Sequence, residues 1–233
     1  MRDITDEVYV VTGGAGAIAK PVVHALAAAG ARVVVADLDQ GRADARAAEI
    51  GDRGFGLAVD LSKADGAAAM VAAAEAKFGL VDGLVHTAGG FAMGPLVEQS
   101  PEAFDKMFDV NVRTLFYAVR AAVPPMVSRE RGFVCAFGSA PAMTGRAPGS
   151  ALYGAAKSAV ATLMHSLAEE VGKAGVHVCV VHPMGAVDTP ANRRDMPGVD
   201  EATLIDPEDI ADTIVHAARR SDRGRMLDLA VWP

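Results

Sequence analysis

The chain has 233 residues, of which 51% are hydrophobic and 22% charged, and its formal net charge is −7. This composition predicts a globular protein with a substantial core and excludes a long disordered segment. The negative charge and the lack of any run of five Lys or Arg residues exclude a basic nucleic-acid surface.

Two cysteines, Cys135 and Cys179, are too few for a disulfide framework, and each lies in an apolar run. We therefore expect two buried free thiols. Four of the first seven residues are charged, and no window contains 18 consecutive apolar residues. These features predict neither a secretory signal nor a membrane span, and they favour a cytoplasmic location. We expect no metal site.

Strand-like and helix-like segments alternate along the whole chain. The expected strands cover residues 8–12, 33–36, 55–59, 84–86, 132–137, 176–181 and 226–230. The expected helices cover about 17–29, 38–50, 64–77, 101–127 in two pieces, 150–172 and 207–219. The segments 138–149 and 183–206 are rich in Pro and Gly or in Pro, Asp and Arg, which is typical of loops.

Each expected strand is almost entirely apolar, as in a parallel sheet that is covered by helices on both faces. We predict the α/β class: one doubly wound Rossmann domain over 1–233, with a mostly parallel sheet of seven strands. The cofactor half would cover about 1–130 and the catalytic half about 131–233. Ligands bind such sheets past the carboxyl ends of the strands, where the strand order reverses.

A glycine-rich turn, Gly13-Gly14-Ala15-Gly16, stands between the first strand and the first helix. Glycine lets the backbone approach a phosphate closely, and the following helix start supplies N–H donors. The spacing Gly14-x-Gly16-x-x-Ala19 also fits the dinucleotide-binding fingerprint. This turn is therefore the predicted pyrophosphate site.

Asp37 ends the second strand, and Leu38 rather than an arginine follows it. A carboxylate at this position accepts hydrogen bonds from ribose hydroxyls and repels a 2′-phosphate, which favours NAD over NADP. Asp60 ends the third strand in the same way. It can bond the edge of an adenine or cap the following helix, and the sequence leaves both roles open.

Tyr153 and Lys157 are four residues apart in a predicted helix, so they lie on one face, one turn apart. A lysine cation within roughly 4–6 Å lowers a phenol pKa from its ordinary value near ~10, which suits the tyrosine to acid–base chemistry. Alone, such a pair is more often a half-buried tyrosine and a solvated lysine, so the rest of the sequence must support the catalytic interpretation.

Several segments together resemble the short-chain dehydrogenase/reductase family over essentially the whole chain. They are Thr12-Gly13, Asn111 in DVNVRTLF, Ser139 in FGSAPAM, Tyr153 with Lys157, and residues 183–189. The resemblance implies that Tyr153 is the acid–base and that Lys157 lowers its pKa and binds the nicotinamide ribose. It also implies that Ser139 orients the substrate oxygen and that Asn111 holds a water connecting Lys157 to solvent.

The same resemblance implies contacts with a nicotinamide cofactor at a larger set of positions. These are Gly13, Gly14, Gly16, Ile18, Asp37, Leu38, Asp60, Leu61, Ala88, Gly89, Tyr153, Lys157, Pro183, Gly185, Val187 and Thr189. The chain departs from the family pattern at Ala17 and Ala19, where glycines are commoner, and at Met184, which separates Pro183 from Gly185. These departures bear on cofactor affinity. His86 stands where the family has Asn, and we expect it to be packed and hydrogen-bonded rather than a second acid–base.

Substrate specificity is expected in residues 90–96, 140–149 and 189–206. Phe91, Met93, Met143 and Met184 indicate a mostly apolar pocket, which favours a small alcohol or ketone as substrate. The segment AVDTPANRRDMP resembles the corresponding loop of dihydropteridine reductases, which implies a pterin-like ring near Asn192 or Arg193. Ser139 favours the ordinary ketone or alcohol instead. A catalytically idle dinucleotide-binding regulatory protein is the third alternative.

The helix over 150–172 is apolar around most of its circumference, and the segment 111–127 is similar. A helix without a polar face is buried on both sides. One side would pack on the sheet and the other on a second subunit, so we expect a homodimer or homotetramer.

Overall fold

A computed structural model describes residues 1–221 and 223–233 of the chain. Its strands are β1 (Val8–Thr12), β2 (Arg32–Asp37), β3 (Gly54–Ala58), β4 (Val81–His86), β5 (Gly132–Phe137), β6 (Val176–Pro183) and β7 (Asp228–Val231). Its helices are α1 (Ala19–Ala28), α2 (Gln40–Ala48), α3 (Ala64–Phe78), α4 (Pro101–Phe108), α5 (Thr114–Ser128), α6 (Ala140–Thr144), α7 (Ala151–Val171), α8 (Pro190–Asp195) and α9 (Pro207–Ala218).

The strands form one sheet in the order β3-β2-β1-β4-β5-β6-β7, and every pairing between them is parallel. This confirms the predicted doubly wound α/β class. The chain leaves β1 in one direction toward β3 and returns to its other side at β4. The carboxyl ends of β1 and β4 are therefore the switch point at which a ligand is expected.

Alternate residues along each strand enter two separate apolar cores. Val33 and Val35 of β2 pack with α1, α2 and α9 on one face, whereas Val34 and Ala36 pack with α3, α5 and α7 on the other. Burial on both faces explains why the strands are uninterrupted apolar runs. Cys135 and Cys179 are buried free thiols that face each other across β5 and β6, as predicted.

The structure differs from the expectation in the loops and in one helix. The short helices α6 and α8 lie in segments that were expected to be irregular. Each has a proline in its first turn, where the fixed φ suits a helix, and the Thr189 side chain also caps α8. Between α4 and α5 the chain forms a π-helical turn, Asp109–Arg113, which contains Asn111. Hydrophobic periodicity does not distinguish such a turn from an α-helix.

Candidate active site

A cleft of about 860 Å³ opens at the carboxyl ends of β1 and β4, the predicted switch point. This volume lies in the range of sites for small molecules and cofactors. The cleft is lined by Gly13, Gly16, Ala17, Ile18, Ala19, Ala36, Asp37, Leu38, Val59, Asp60, Leu61, Ser62, Thr87, Ala88, Gly89, Glu102, Asp105, Lys106, Asp109, Val110, Thr114, Thr189 and Asn192.

The glycine turn forms one end of this cleft. Gly13 has φ +62°, and a Cβ there would lie 2.9 Å from Ala88 Cα, so the turn packs directly against the loop after β4. Gly14 is turned away from the cleft, toward Val35 of β2. Helix α1 begins without a side-chain cap and without an acidic residue in its first turn. Its N-terminus is thus suited to an anion.

Asp37 ties the glycine turn to the end of β2. Its Oδ2 accepts a hydrogen bond from Ala15 N (3.1 Å), and its Oδ1 accepts one from Leu38 N (2.9 Å). Arg42 Nη2 donates to Ala15 O at 3.3 Å, so a cation also lies at this turn. Sequence analysis considered only the residue directly after Asp37. It therefore missed Arg42, which lies five residues further along, on helix α2.

Asp60 lines the cleft, and its Oδ1 accepts hydrogen bonds from the backbone and the hydroxyl of Ser62. These two bonds hold the pKa of the Asp60 carboxyl below its usual range. The N-cap residue of α3 is Lys63, so the capping role considered for Asp60 is wrong.

His86 is buried at the end of β4 between two hydroxyl groups. Its Nδ1 lies 2.9 Å from Thr12 Oγ1, and its Nε2 lies 3.2 Å from Thr114 Oγ1. Burial, with a smaller contribution from the Lys157 charge, lowers the pKa of His86 to about 3. A neutral, doubly bonded ring confirms the expected packing role and is unsuited to proton exchange near neutral pH.

The four residues expected to be catalytic lie deeper, beyond the lining of the cleft. Ser139 follows β5, Tyr153 and Lys157 lie in the first two turns of α7, and Asn111 lies in the π-helical turn. Lys157 Nζ donates to Phe137 O (2.8 Å) at the end of β5 and lies 6.0 Å from the centroid of the Tyr153 ring. The fold therefore brings the phenol and the ammonium to one place.

The protonation equilibria of this pair differ from the expectation. Burial raises the pKa of Tyr153 above its ordinary value, and the Ser139 hydroxyl acts in the opposite direction with less effect. The predicted lowering of the phenol pKa by Lys157 is therefore wrong for this structure. Burial also lowers the pKa of Lys157 from 10.5 to about 8. Both shifts favour the uncharged form of a group held away from water.

Ser139 Oγ is buried and has no hydrogen-bond partner of good geometry among the described residues, although it is near enough to Tyr153 to affect its pKa. Buried hydroxyls are normally paired, and an unpaired one at a strand end indicates a ligand atom. Ser139 is also the N-cap residue of α6, yet its hydroxyl makes no cap hydrogen bond.

Asn111 connects the π-helical turn to the loop after β4. Its Nδ2 donates to Gly90 O and Met107 O (both 3.0 Å), and its Oδ1 accepts from Gly90 N (3.3 Å). A Cβ on Gly89 would lie 2.7 Å from Asn111 Oδ1 and 3.4 Å from Lys157 Nζ. Gly89 thus lies in the wall of the cleft with its backbone packed directly against Asn111 and close to Lys157.

Two of the expected specificity loops meet over the tyrosine. The Phe91 ring packs edge-on against the Tyr153 ring, with 4.9 Å between their centroids. Gly94 N donates to Gly149 O (2.8 Å), which joins the loop after β4 to the loop before α7. In the third loop, Arg193 is held by Asp188 and Glu201, so its guanidinium is engaged within the loop.

The structure assembles most of the residues predicted for the cofactor around the cleft. Pro183, Gly185 and Val187 are not among its lining residues, and Val187 is buried beside Ile205. The sequence missed the wall that α4 contributes, namely Glu102, Asp105 and Lys106. These residues have the pattern of a solvated helix face, so periodicity gave no signal for them.

A nicotinamide dinucleotide fits this arrangement. Gly13 and the start of α1 suit its pyrophosphate, Asp37 suits a ribose, and Gly89 in the wall of the cleft lies next to Lys157. At the inner end, the unpaired Ser139 hydroxyl and the Tyr153 hydroxyl are adjacent, and the Lys157 ammonium lies near the tyrosine ring. The site thus combines an anion-binding turn with groups that can hold and transfer a proton.

Comparisons with known proteins agree with this geometry. The family model for short chain dehydrogenase matches residues 7–199. An uncharacterized oxidoreductase of Staphylococcus saprophyticus is 30% identical, with all of both chains covered. The 2-(S)-hydroxypropyl-CoM dehydrogenase 3 of Xanthobacter autotrophicus is 31% identical over 91% of this chain and 89% of its own. The crystal structure of a metagenomic short-chain oxidoreductase in complex with NADP has a TM-score of 0.85 and 30% identity, covering 99% and 98% of the two chains.

The chain belongs to the short-chain dehydrogenase/reductase family of oxidoreductases. The family implies a nicotinamide cofactor. Across residues 1–221 and 223–233, no helix has both the length and the apolarity that a membrane span requires.

Proposed function

We propose that the protein interconverts a small, mostly apolar secondary alcohol and the matching ketone, with NAD as the favoured cofactor and Tyr153 as the acid–base. The observation that carries this proposal is the unpaired, buried Ser139 hydroxyl beside the Tyr153 hydroxyl. A substrate oxygen placed between them would satisfy the serine and exchange a proton with the tyrosine. The Xanthobacter relative is named for a 2-hydroxypropyl group, which is a secondary alcohol, and this supports the proposed substrate class.

A bound nicotinamide cofactor supplies or accepts the hydride. The residues of the chain handle the substrate oxygen, on which negative charge develops in ketone reduction. Ser139 donates a hydrogen bond to that oxygen, and Tyr153 transfers its proton to it. Fixed donors in a water-poor site stabilise such a charge strongly. Because burial raises the pKa of Tyr153, its phenol is protonated at neutral pH, which favours its role as an acid.

Lys157 occupies the next turn of the helix. Its pKa of about 8 means that the ammonium can lose a proton near neutral pH, so Lys157 is suited to returning a proton to Tyr153. Phe137 O fixes the position of the ammonium. In alcohol oxidation the same groups would act in reverse order.

Asp37 supports the preference for NAD. Its carboxylate stands at the edge of the cleft and accepts two backbone hydrogen bonds, which orient it without neutralising its charge. A 2′-phosphate would meet this charge, whereas ribose hydroxyls would donate to it. Arg42 at the same turn is the group that would favour NADP, and the experiment must therefore compare both cofactors.

The first experiment measures binding of NAD and NADP to the purified protein by calorimetry. A panel of secondary alcohols and ketones is then followed at the absorbance of the reduced nicotinamide. We expect tighter binding of NAD and turnover of at least one apolar substrate. Tyr153→Phe should lower kcat/KM by about 10³-fold with an unchanged Kd for the dinucleotide. Tyr117→Phe, a partly buried tyrosine on α5, is the matched control and should keep full turnover.

Other results would support the alternatives. Dinucleotide binding without turnover of any substrate would support the idle regulatory protein. Turnover of a dihydropteridine but of no ketone would support the pterin reductase. The ion pairs of Arg193 with Asp188 and Glu201 argue against the pterin reductase, because they occupy the guanidinium that a pterin would need.

We also propose that two copies of the chain associate through α5 and α7. Phe116 and Leu163 are exposed on these helices, beside a groove that is also lined by Leu115, Val119, Arg120, Met164, Ser166, Leu167 and Glu170. An apolar groove on a helix pair is typical of a subunit interface. Phe116→Glu with Leu163→Glu should yield a monomer by light scattering at micromolar concentration. A monomeric wild-type protein under the same conditions would contradict the proposal.

A further inference from the structure

A chain of hydrogen bonds lies behind Ser139, on the side away from the cleft. His182 Nδ1 lies 3.3 Å from Ser139 O, and His182 Nε2 lies 2.9 Å from Asp228 Oδ1. His165 Nε2 lies 2.8 Å from the same Asp228 oxygen. His182 is buried at the end of β6, whereas Asp228 and His165 are partly exposed on β7 and α7. The chain of bonds therefore connects the Ser139 backbone to the surface.

The backbone makes room for the His182 ring at one particular place. The pairing of β5 with β6 ends at Phe137 and Val181, and Gly138 N still donates to Val181 O (2.8 Å). A Cβ on Gly138 would lie 2.4 Å from His182 Nδ1, so the ring fills the space where a side chain would be. Past the last residue pair of β5 and β6, the His182 imidazole thus takes the place of a backbone group as the hydrogen-bond partner of Ser139 O.

The two neighbours of the ring are both hydrogen-bond acceptors. Burial acts to raise the pKa of Asp228, but hydrogen bonds from His165 and His182 outweigh it, and the carboxyl pKa is below its usual range. An ionised Asp228 can only accept a hydrogen bond from Nε2, and a carbonyl oxygen can only accept one from Nδ1. The ring therefore faces an acceptor on each side, Ser139 O at Nδ1 and Asp228 Oδ1 at Nε2.

This contact explains an unusual feature of Ser139. A serine at an N-cap normally turns its hydroxyl to the free N–H groups of its own helix. Here Ser139 O already accepts from Ala142 N (3.0 Å), and the second lone pair faces His182 Nδ1. With the carbonyl held from both sides, the extended residue (φ −173°, ψ 168°) keeps its hydroxyl unpaired and available for a ligand.

We propose that His182, held by Asp228, is a positioning residue that fixes the Ser139 backbone so that the Ser139 hydroxyl points at the substrate oxygen. The inference rests on the proposed function, because it assigns His182 a role through the serine that orients the substrate. His182 does not touch the cleft, so its effect should appear in kcat and hardly in the Kd of the dinucleotide.

Two amide substitutions separate the two contacts of the ring. The amide nitrogen of Asn is as far along the side chain as Nδ1, and that of Gln is as far along as Nε2. His182→Asn can therefore keep the bond to Ser139 O, whereas His182→Gln can keep only the bond to Asp228. We expect kcat to fall less than 3-fold in the Asn variant and about 10- to 30-fold in the Gln variant. His24→Asn, which alters a surface histidine that also pairs with a carboxylate, should leave kcat unchanged. Equal losses in the Asn and Gln variants would overturn the proposal.

Ser139→Ala provides the background that separates positioning from general destabilisation. If His182 acts through the serine hydroxyl, His182→Gln should cause no further loss of kcat in Ser139→Ala protein. A loss of the same size in both backgrounds would show a structural effect alone and would refute the inference.

A measurement on the wild-type protein does not depend on turnover. Nitrogen-15 NMR of the histidine rings, with His182 assigned from the Asn variant, should show a proton on Nδ1, the nitrogen that faces Ser139 O. A bare Nδ1 would refute the positioning role even in an active enzyme. A protonated Nδ1 in a protein that turns over no substrate would refute the proposed oxidoreductase function and leave the contact itself established.

Discussion

The two ends of the ligand site differ in their exposure to water. At the dinucleotide end, Asp37 and Leu38 face an open cleft, and the glycine turn is held by backbone hydrogen bonds. At the end proposed to be catalytic, Lys157 and Ser139 are buried, and Phe91 packs against Tyr153. One end is a preformed binding surface, and the other is a small buried cluster of polar groups.

This difference determines which physical effect dominates at each end. In the open cleft, the charge of Asp37 and the shape of the turn act directly on a ligand. Among the buried groups, desolvation outweighs the attraction between neighbours, so the pKa values of Tyr153 and Lys157 both move toward the neutral form. The buried end thus has proton equilibria that are suited to exchange but reduce the stability of the fold.

Replacing Lys157 with Met should separate catalysis from stability most clearly. Turnover should fall about 10³-fold, because the proton donor to Tyr153 is lost. A pKa lowered from 10.5 to about 8 on folding corresponds to an unfavourable contribution of about 3 kcal/mol below pH 8. Loss of the bond to Phe137 O offsets about 1–2 kcal/mol of this. We therefore expect the free energy of unfolding at pH 7, measured in urea, to rise by about 1–2 kcal/mol.

The pH dependence of stability tests whether burial of the Lys157 charge destabilises the fold. Between pH 8 and 10.5 the unfolded chain binds more protons at Lys157 than the folded one, so wild-type stability should rise with pH in this window. The Met variant should lack this rise. Lys173→Met, at an exposed lysine just after α7, is the control and should keep it. A Met variant that is less stable than the wild type at pH 7 would contradict the dominance of desolvation.

At the open end, Asp37→Ser should change cofactor preference. Without the carboxylate, NAD loses an acceptor for its ribose, while a 2′-phosphate loses its repulsion and gains proximity to Arg42. The ratio of the NADP and NAD dissociation constants, measured by calorimetry, should shift about 10-fold toward NADP. Asp39→Ser removes a carboxylate two residues away and keeps a capping hydroxyl on α2. An equal shift in that control would indicate net charge rather than position.

The smallest effect on activity is expected from substitution of Phe91, which separates Tyr153 from solvent. Phe91→Ala removes a ring that covers Tyr153 but is itself 61% exposed. Water would reach the phenol, so the pKa of Tyr153 should fall toward its ordinary value, and the corresponding limb of the pH–rate profile should move to lower pH. KM for an apolar substrate should rise about 3- to 10-fold, with stability within about 0.5 kcal/mol. Met93→Ala, in the same loop, should not move the limb.

The fold was predictable because each strand is an apolar run between helical segments, and the sheet buries both of its faces. All seven strands lie within a few residues of the expected ranges. The helices α6 and α8 were missed because a helix of five or six residues has too few turns for periodicity to appear. Their signals were local ones, a proline in the first turn and, for α8, the Thr189 cap.

The sequence also predicted that Tyr153 and Lys157 lie together near the strand ends, because the strand ends and the helical spacing of the two residues follow from secondary structure alone. It did not yield the direction of the Tyr153 pKa shift, which depends on burial by residues distant in sequence such as Phe91. His182 was missed for the same reason. A histidine inside an apolar strand was a signal, but its partners come from β5 and β7.

The π-helical turn at Asp109–Arg113 restricts how the chain can change in length. Such a turn contains one residue more than an α-helix of the same span. Here it places the Asn111 side chain within hydrogen-bonding distance of Gly90 O. Deletion of a single residue there would give a regular helix and leave Leu115 and Ala118 on the sheet, but it would move the Asn111 side chain away from Gly90. Insertions and deletions among natural relatives should therefore collect in segments such as 190–206 and avoid the stretch from Ser100 to Leu115.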